Sequence, residues 1–292
     1  MDITNAVINY RRSLKRKNYS KHTVRNFMST LTRFVLWVDV PIEEVTFKTI
    51  LSFIDHLLNK RLKPKTINCY LHSIRGFYDY LIEEEQVPMT NPVKRGYSLR
   101  LSKPLPRYLR DEDVPRLFNV ISSKRDRAMF MLMLRCGLRV EEVAKLTMSA
   151  LDLTRSQVFV YEGKGAKDRV VYLSTDATRS LVEYLETRRS SRAKRVFLIE
   201  KGQYKGRPIE VRGIQHCMQR YAKEAHLKVS CHQLRHTMAT QLLNADADIV
   251  TIQDLLGHTR IKTTQRYCKV SNVKVQRDYH KAIEAVMSRH GL

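Results

Sequence analysis

The stretch from His232 to Tyr267 constrains this chain more than any other. It reads H-Q-L-R-H-T-M-A-T-Q-L-L, then a second apolar run that ends L-L-G-H, then a tyrosine, Tyr267, nine residues after His258. At 3.6 residues per turn, His232, Arg235 and His236 fall within an arc of about 100°. Leu234 and Met238 point to the other side, toward a core. Ile249, Ile252 and Leu255 repeat the helical spacing, and Gly257 follows Leu256 as a C-terminal cap. His258 is therefore expected in a turn just past a helix end. Thr263 and Thr264 then open a short helix that brings up Tyr267.

Such a set suits one chemistry. A phosphodiester in transit carries negative charge on its non-bridging oxygens. A guanidinium presents a planar fork of donors to those oxygens, and an imidazole donates to them or moves a proton near neutral pH. A tyrosine hydroxyl attacks phosphorus once its proton is removed. Its ordinary pKa of about 10 means that a cationic site must help. Taken singly, a His-x-x-Arg helix is usually a solvated face and a lone tyrosine usually packing; the combination carries the reading. His232 and His236 also have the spacing of a zinc helix, but Gln233 stands where a metalloprotease needs its glutamate base.

The charge balance fits a polyanion. The formal net charge is +24 over 292 residues, far beyond what solubility needs. Residues 1–100 hold 17 basic and 9 acidic side chains, so both halves of the chain are positive. Nucleic acid or an anionic membrane surface attracts such a field. No run approaches 18 apolar residues, and the N-terminus, M-D-I-T-N-A-V, lacks the pattern of a signal peptide. A cytoplasmic, nucleoid-associated protein without a membrane partner is expected. The five cysteines form no C-x-x-C pair and read as reduced thiols.

Along the chain, periodicity predicts a mainly α fold with a small antiparallel β-sheet, an α+β chain. Residues 1–90 read as a helical domain. Ser20 caps a helix carrying Val24, Phe27, Leu31, Phe34 and Trp37, and Thr46 starts another. After Pro64 a helix buries Ile67, Leu71, Ile74, Tyr78 and Leu81. Off that stripe lie Lys65, Asn68, His72 and Arg75, polar and basic groups for a DNA groove. Residues 91–108, with Lys94 and Arg95, read as a basic linker strapped along a phosphate backbone. Residues 109–292 form a second domain. In it Gly137 ends an apolar helix, Arg139 opens the next, and Glu142 stands three residues on to hold the arginine. Q-V-F-V-Y-E and R-V-V-Y-L flank G-K-G-A-K-D as a hairpin with Lys164 at its tip. The spacing is not that of a P-loop. Residues 279–289 read as a last helix with Ala282, Ile283 and Val286 along one side. The polar segment from Lys269 to Arg277 reads as its flexible connection.

These motifs, C-G-L-R-V-E-E-V, G-K-G-A-K-D-R, H-Q-L-R-H-T-M-A-T-Q-L-L, L-G-H and Tyr267, stand in the order and spacing of the tyrosine recombinase (phage integrase) family. The sequence resembles its compact two-domain members, Xer recombinases and simple integrases, over nearly its whole length. The resemblance implies a helical, SAM-like core-binding domain and a mixed catalytic domain ending in an exchange helix. It implies Arg139, Lys164, His232, Arg235, His258 and Tyr267 as catalytic residues, with Glu142 supporting Arg139. The implied reaction cuts and rejoins DNA through a 3′-phosphotyrosyl link, with no metal, cofactor or ATP. The implied partners are double-stranded DNA with inverted half-sites and further copies of the chain: a dimer on one site, a tetramer in synapsis, joined by C-terminal helix exchange. Cys268-Lys269 stands where Xer proteins usually carry Thr-His, which tilts the expectation toward a mobile-element enzyme. A type IB topoisomerase, or a catalytically idle DNA-binding regulator, are the alternative readings.

Overall fold

The computed structural model describes residues 2–102, 107–161, 168–188, 193–258, 261–268 and 272–290. The chain divides into two compact units, residues 1–103 and 104–292.

The first unit is helical. α1 (Ile3–Arg16), α2 (Lys21–Val35), α3 (Phe47–Asn59) and α4 (Pro64–Glu83) share one apolar core. The starts of these helices are written locally. The Ser20 hydroxyl accepts from the Thr23 amide at 3.1 Å. Thr46 and Thr49 satisfy one another's amides at 3.2 and 3.4 Å. Pro64 sits in the first turn of α4, where a missing N–H leaves no helical bond unmade. The expected stripe of α4 is buried, but so are Tyr70, Phe77 and Tyr80. α4 is thus covered on more than one side, by α1 and α2 and by residues 91–99. Asn68 exchanges two hydrogen bonds with the Leu99 backbone, at 2.9 and 2.8 Å. The Arg75 guanidinium donates to the carbonyls of Val93, Lys94 and Tyr97 at 3.3, 2.9 and 3.0 Å. The part of the expected strap nearest the first unit is therefore pinned onto α4.

The second unit opens with α5 (Asp113–Asn119), α6 (Lys124–Arg135) and α7 (Val140–Lys145). α6 is its central post: Ala128, Met129, Phe130, Leu132, Met133 and Leu134 are all buried. Beside them Asp126, with no exposed surface, accepts from Arg125 and from the Tyr221 hydroxyl at 3.1 Å. The strands β1 (Leu151–Asp152), β2 (Gln157–Val160) and β3 (Arg169–Tyr172) form one antiparallel sheet in that order. Register pairs Val158 with Val171 and Val160 with Arg169. Side chains alternate along a strand, so Arg169 shares the inward face with Val171. α8 (Thr175–Thr187), α9 (Val211–Glu224), α10 (Cys231–Asn244), α11 (Ile249–Leu256), α12 (Ile261–Cys268) and α13 (Asn272–His290) complete the unit. α6 packs against both α8 and α10.

One sequence expectation changes here. The last helix starts at Asn272, so most of the segment read as a flexible connection is helical. Arg277 pins its first half to the end of α10, donating to Asp246 at 2.5 Å and to the Asn244 carbonyl at 3.3 Å. Of the expected stripe of that helix, Ala282 and Val286 are exposed and Ile283 half-buried, so it is open to a neighbouring copy.

Candidate active site

The site is built on the C-terminal end of α11. The last carbonyls of a helix have no intrahelical partner and carry partial negative charge. Here Gly257 takes φ 58° and ψ 48°, the left-handed conformation that turns the chain away from the helix. Three arginines from three different elements close on the exposed carbonyls. Arg169 of β3 donates its Nε–H to Leu255 at 2.8 Å. Arg235 of α10 donates to Leu256 and, through its other terminal nitrogen, to Gly137. Arg139 donates to the same Leu256 carbonyl at 3.3 Å and to Gly257 at 3.4 Å.

Each arginine has a local reason for its place. Gly137 ends α6 with φ +64°, and a Cβ there would meet the Met238 sulfur at 2.8 Å and a Leu256 methyl at 3.0 Å. Only a glycine lets α6, α10 and α11 approach so closely and aims its carbonyl at Arg235. Arg139 precedes α7. Its guanidinium bonds Glu142 at 2.7 Å, and its own amide donates to the other Glu142 oxygen at 2.7 Å. α10 starts with Gln233 folded back onto the Ser230 amide at 2.8 Å. This capping role employs the residue that stands where a zinc protease would carry glutamate.

Arg235 is only 1% exposed. Helix-face arithmetic placed it beside His232 and His236 on a polar face, and the fold instead sinks it between two backbone carbonyls. A buried guanidinium is stable only when so satisfied. His232 is exposed, and its ring meets that of His236 edge-on at 4.2 Å. His258 sits where expected, just past the α11 cap, with Nδ1 3.0 Å from the buried Thr264 hydroxyl. Its pKa is pushed down to about 3, first by burial and then by the charges of Arg235, Arg139, His236 and Arg169. The ring is therefore neutral at pH 7. Thr264 lies on α12, and one turn further along the same side comes position 267. The Tyr267 side chain and the whole of Lys164 lie outside the described residues.

Glu142 is the carboxylate that both Arg139 and Arg169 hold. Burial alone would raise its pKa, but hydrogen bonds and charge from Arg169, then from Arg139, hold it down at about 2. Arg169 grips both carboxylate oxygens, at 2.9 and 2.8 Å. The sequence pairs Glu142 with Arg139 alone, sets His236 on the same helix face as His232 and Arg235 without giving it a role, and leaves Arg169 out of the site. The signal for Arg169 was its parity with Val171 in the strand, which turns it inward.

The residues expected to touch DNA from the first unit divide. Lys65, His72, Lys94 and Arg95 are exposed. His72 still meets Phe27 edge-on at 5.3 Å, and the Lys94 ammonium lies 4.6 Å from the Phe47 ring centre. Asn68 and Arg75 are half-buried and bond the segment 91–99 within the unit. Among the described residues no three His, Cys, Asp or Glu side chains gather as metal ligands would, and no helix is long and apolar enough to cross a membrane.

Comparison with known proteins bears on the same residues. The phage integrase family model matches residues 107–273, and the model of the phage integrase N-terminal SAM-like domain matches residues 8–87. The tyrosine recombinase XerA of Thermococcus kodakarensis is 32% identical over 272 residues, which is 92% of each chain. The tyrosine recombinase XerC of Bacillus subtilis is 30% identical over 277 residues, 90% of each chain. The fold is similar to that of lambda integrase 75–356 in a dimer bound to a COC′ core site, with a TM-score of 0.75 at 18% identity over 91% of this chain and 95% of that one. Lambda integrase has also been solved as a tetramer bound to a Holliday junction; that chain matches with a TM-score of 0.73 at 18% identity, over 91% of this chain and 76% of that one.

Proposed function

This chain belongs to the phage integrase family of tyrosine recombinases, and on that premise we propose how its own residues cut and rejoin DNA. One observation carries the reading: Arg139 and Arg235, from different elements, donate to the same Leu256 carbonyl. Two like charges brought so close repel, and an anion between them relieves the repulsion. A scissile phosphate is such an anion, and each guanidinium has five N–H donors with which to hold it.

In this mechanism the Tyr267 oxygen attacks phosphorus while Arg139 and Arg235 hold the non-bridging oxygens. One arginine at a phosphoryl transition state is worth on the order of 10³–10⁵ in rate. His258, kept neutral, adds a hydrogen bond without adding charge. His232 takes the proton of the Tyr267 hydroxyl, and Lys164 protonates the departing 5′-oxygen. The P–O bond to the 5′-oxygen breaks as the phosphotyrosyl bond forms, so the bond energy is kept for rejoining and no ATP is needed. Glu142 holds Arg139. Lys65, His72, Lys94 and Arg95 bind the duplex electrostatically from the first unit. The DNA carries inverted half-sites, and the protein works on the nucleoid in the cytoplasm. One nucleophilic tyrosine, Tyr267, makes one cut per chain. Exchange between two duplexes needs four cuts, so a dimer on each site and a tetramer in synapsis follow. The uncovered face of α13 docks on the neighbouring copy.

A nicked substrate that loses its 5′-fragment should trap the protein as an adduct stable to denaturant, and excess chelator should leave the yield unchanged. On the same substrate Lys164→Ala should be slow, and a 5′-phosphorothiolate, which leaves without a proton, should restore most of the rate. Loss of the adduct in chelator, restored by a divalent ion, would contradict the arginine-built site. Equal slowing of Lys164→Ala on both substrates would remove Lys164 from the acid's role. Relaxation of plasmid without strand exchange would favour the topoisomerase reading.

A further inference from the structure

The arginine absent from the reading above is the one that touches most of the site. Arg169 uses its two terminal nitrogens on the two oxygens of Glu142, at 2.9 and 2.8 Å, and its Nε–H on the Leu255 carbonyl at 2.8 Å. Its side chain is 8% exposed, and all three of its nitrogens are committed to Glu142 and Leu255. It also packs under the turn that presents His258, since a Cβ on Gly257 would come within 3.0 Å of its Cδ. From the first residue of β3, it thus ties together the support of Arg139 and the turn of His258.

We propose that Arg169 is a positioning residue for the cleavage reaction, acting by occupying Glu142 so that Arg139 keeps its charge and its place for the phosphate. The proposal rests on the reading of this site as the cleavage site. Glu142 is a full carboxylate with four lone-pair sites. With Arg169 on both its oxygens, Arg139 holds it by one N–H of the guanidinium and by the backbone amide. Without Arg169, the buried carboxylate has one guanidinium left to satisfy it. Arg139 would then swing to a two-point grip on Glu142, and both its charge and its donors would be withdrawn from the phosphate. Lysine cannot stand in for Arg169, because a single ammonium cannot span two carboxylate oxygens and a carbonyl at once. A displacement of about 1 Å at a reacting group costs on the order of 10²-fold in rate.

The test compares wild type, Arg169→Lys and Arg169→Gln in the full chain. Binding to a labelled half-site and the single-turnover rate of adduct formation are measured for each. Both are run on a normal scissile phosphate and on a methylphosphonate, which lacks the negative charge that Arg139 must meet. Both variants should bind the half-site within about threefold of wild type and form the adduct on the order of 10²-fold more slowly. For Arg169→Gln the deficit should shrink to under about tenfold on the methylphosphonate, since a neutral centre has less need of Arg139. Melting temperatures are read alongside; a purely structural role lowers both rates equally. Either variant cleaving within about threefold of wild type overturns the proposal, and so does a deficit of equal size on both substrates. A wild type that forms no adduct would overturn the cleavage reading and this assignment together. A wild type that cleaves beside variants that cleave as fast overturns the assignment alone.

Discussion

At the residue scale the site is a balance of charge around one carboxylate and one imidazole. Glu142 holds its proton only below about pH 2, because the pull of Arg169 and Arg139 outweighs the cost of burial. His258 resists protonation until about pH 3, through burial first and its cationic neighbours second. Both shifts make stability fall as pH falls. In the unfolded chain His258 gains its proton near pH 6.5 and Glu142 near 4.3. The unfolded state therefore binds more protons than the native state between about pH 6.5 and 3 for His258, and between about 4.3 and 2 for Glu142. As pH falls from about 7, the melting temperature should decline in two stages. His258→Asn should flatten the upper stage and leave the lower one. Scanning calorimetry across pH checks this; an unchanged slope between pH 6.5 and 5 in His258→Asn would contradict the buried neutral ring. The i,i+3 spacing made the Arg139–Glu142 pair legible in the sequence. The Arg169–Glu142 pair spans 27 residues and requires the hairpin register first. Arg235 was legible as a site residue and illegible as a buried one, because the carbonyls that receive it come from Gly137 and Leu256 in other helices.

At the scale of elements, local chemistry wrote the boundaries. Ser20, Thr46 and Pro64 mark helix starts and Gly257 a helix end, and each keeps that role in the fold. The hairpin was legible from its β-branched strands. What local pattern could not give was long-range: the segment 91–99 lies on α4 because Asn68 and Arg75 bond its backbone. The first turns of α13 read as a connector because they are polar, and Arg277 tethers them to the end of α10. The α11 cap gives the sharpest element-scale prediction. In Gly257→Ala a left-handed alanine costs about 1–2 kcal/mol. The new Cβ would also press on the Arg169 stem, 3.0 Å away. Urea unfolding should show a loss of about 1–2 kcal/mol, and the adduct rate should fall further than that loss explains. A variant within about 0.3 kcal/mol of wild type that cleaves at full rate would contradict the cap's part in the site.

At the scale of the whole molecule, charge and assembly set the function. A net charge of +24 steers the chain to DNA, while the proposed mechanism leaves the chemistry to a few residues of the second unit. Composition carries the first point, and only motif order carries the second. Beyond Arg277, α13 carries exposed Tyr279, Val286 and Met287, apolar surface that a neighbouring copy can cover. Truncation after Asp278 should spare binding to a single half-site and weaken cooperative pairing and strand exchange. Wild-type exchange by the truncated protein would mean that the helix couples nothing. The central claim is that this basic, arginine-built site exists to let one phenol attack one phosphate. Tyr267→Phe removes the attacking oxygen and almost no volume. Incubated with the nicked half-site substrate and resolved under denaturing conditions, wild type should appear as a covalent protein–DNA band. Tyr267→Phe should bind the same DNA with equal affinity and give no band at all. A band of normal yield from Tyr267→Phe would show that another residue is the nucleophile, and the account would fail at its centre.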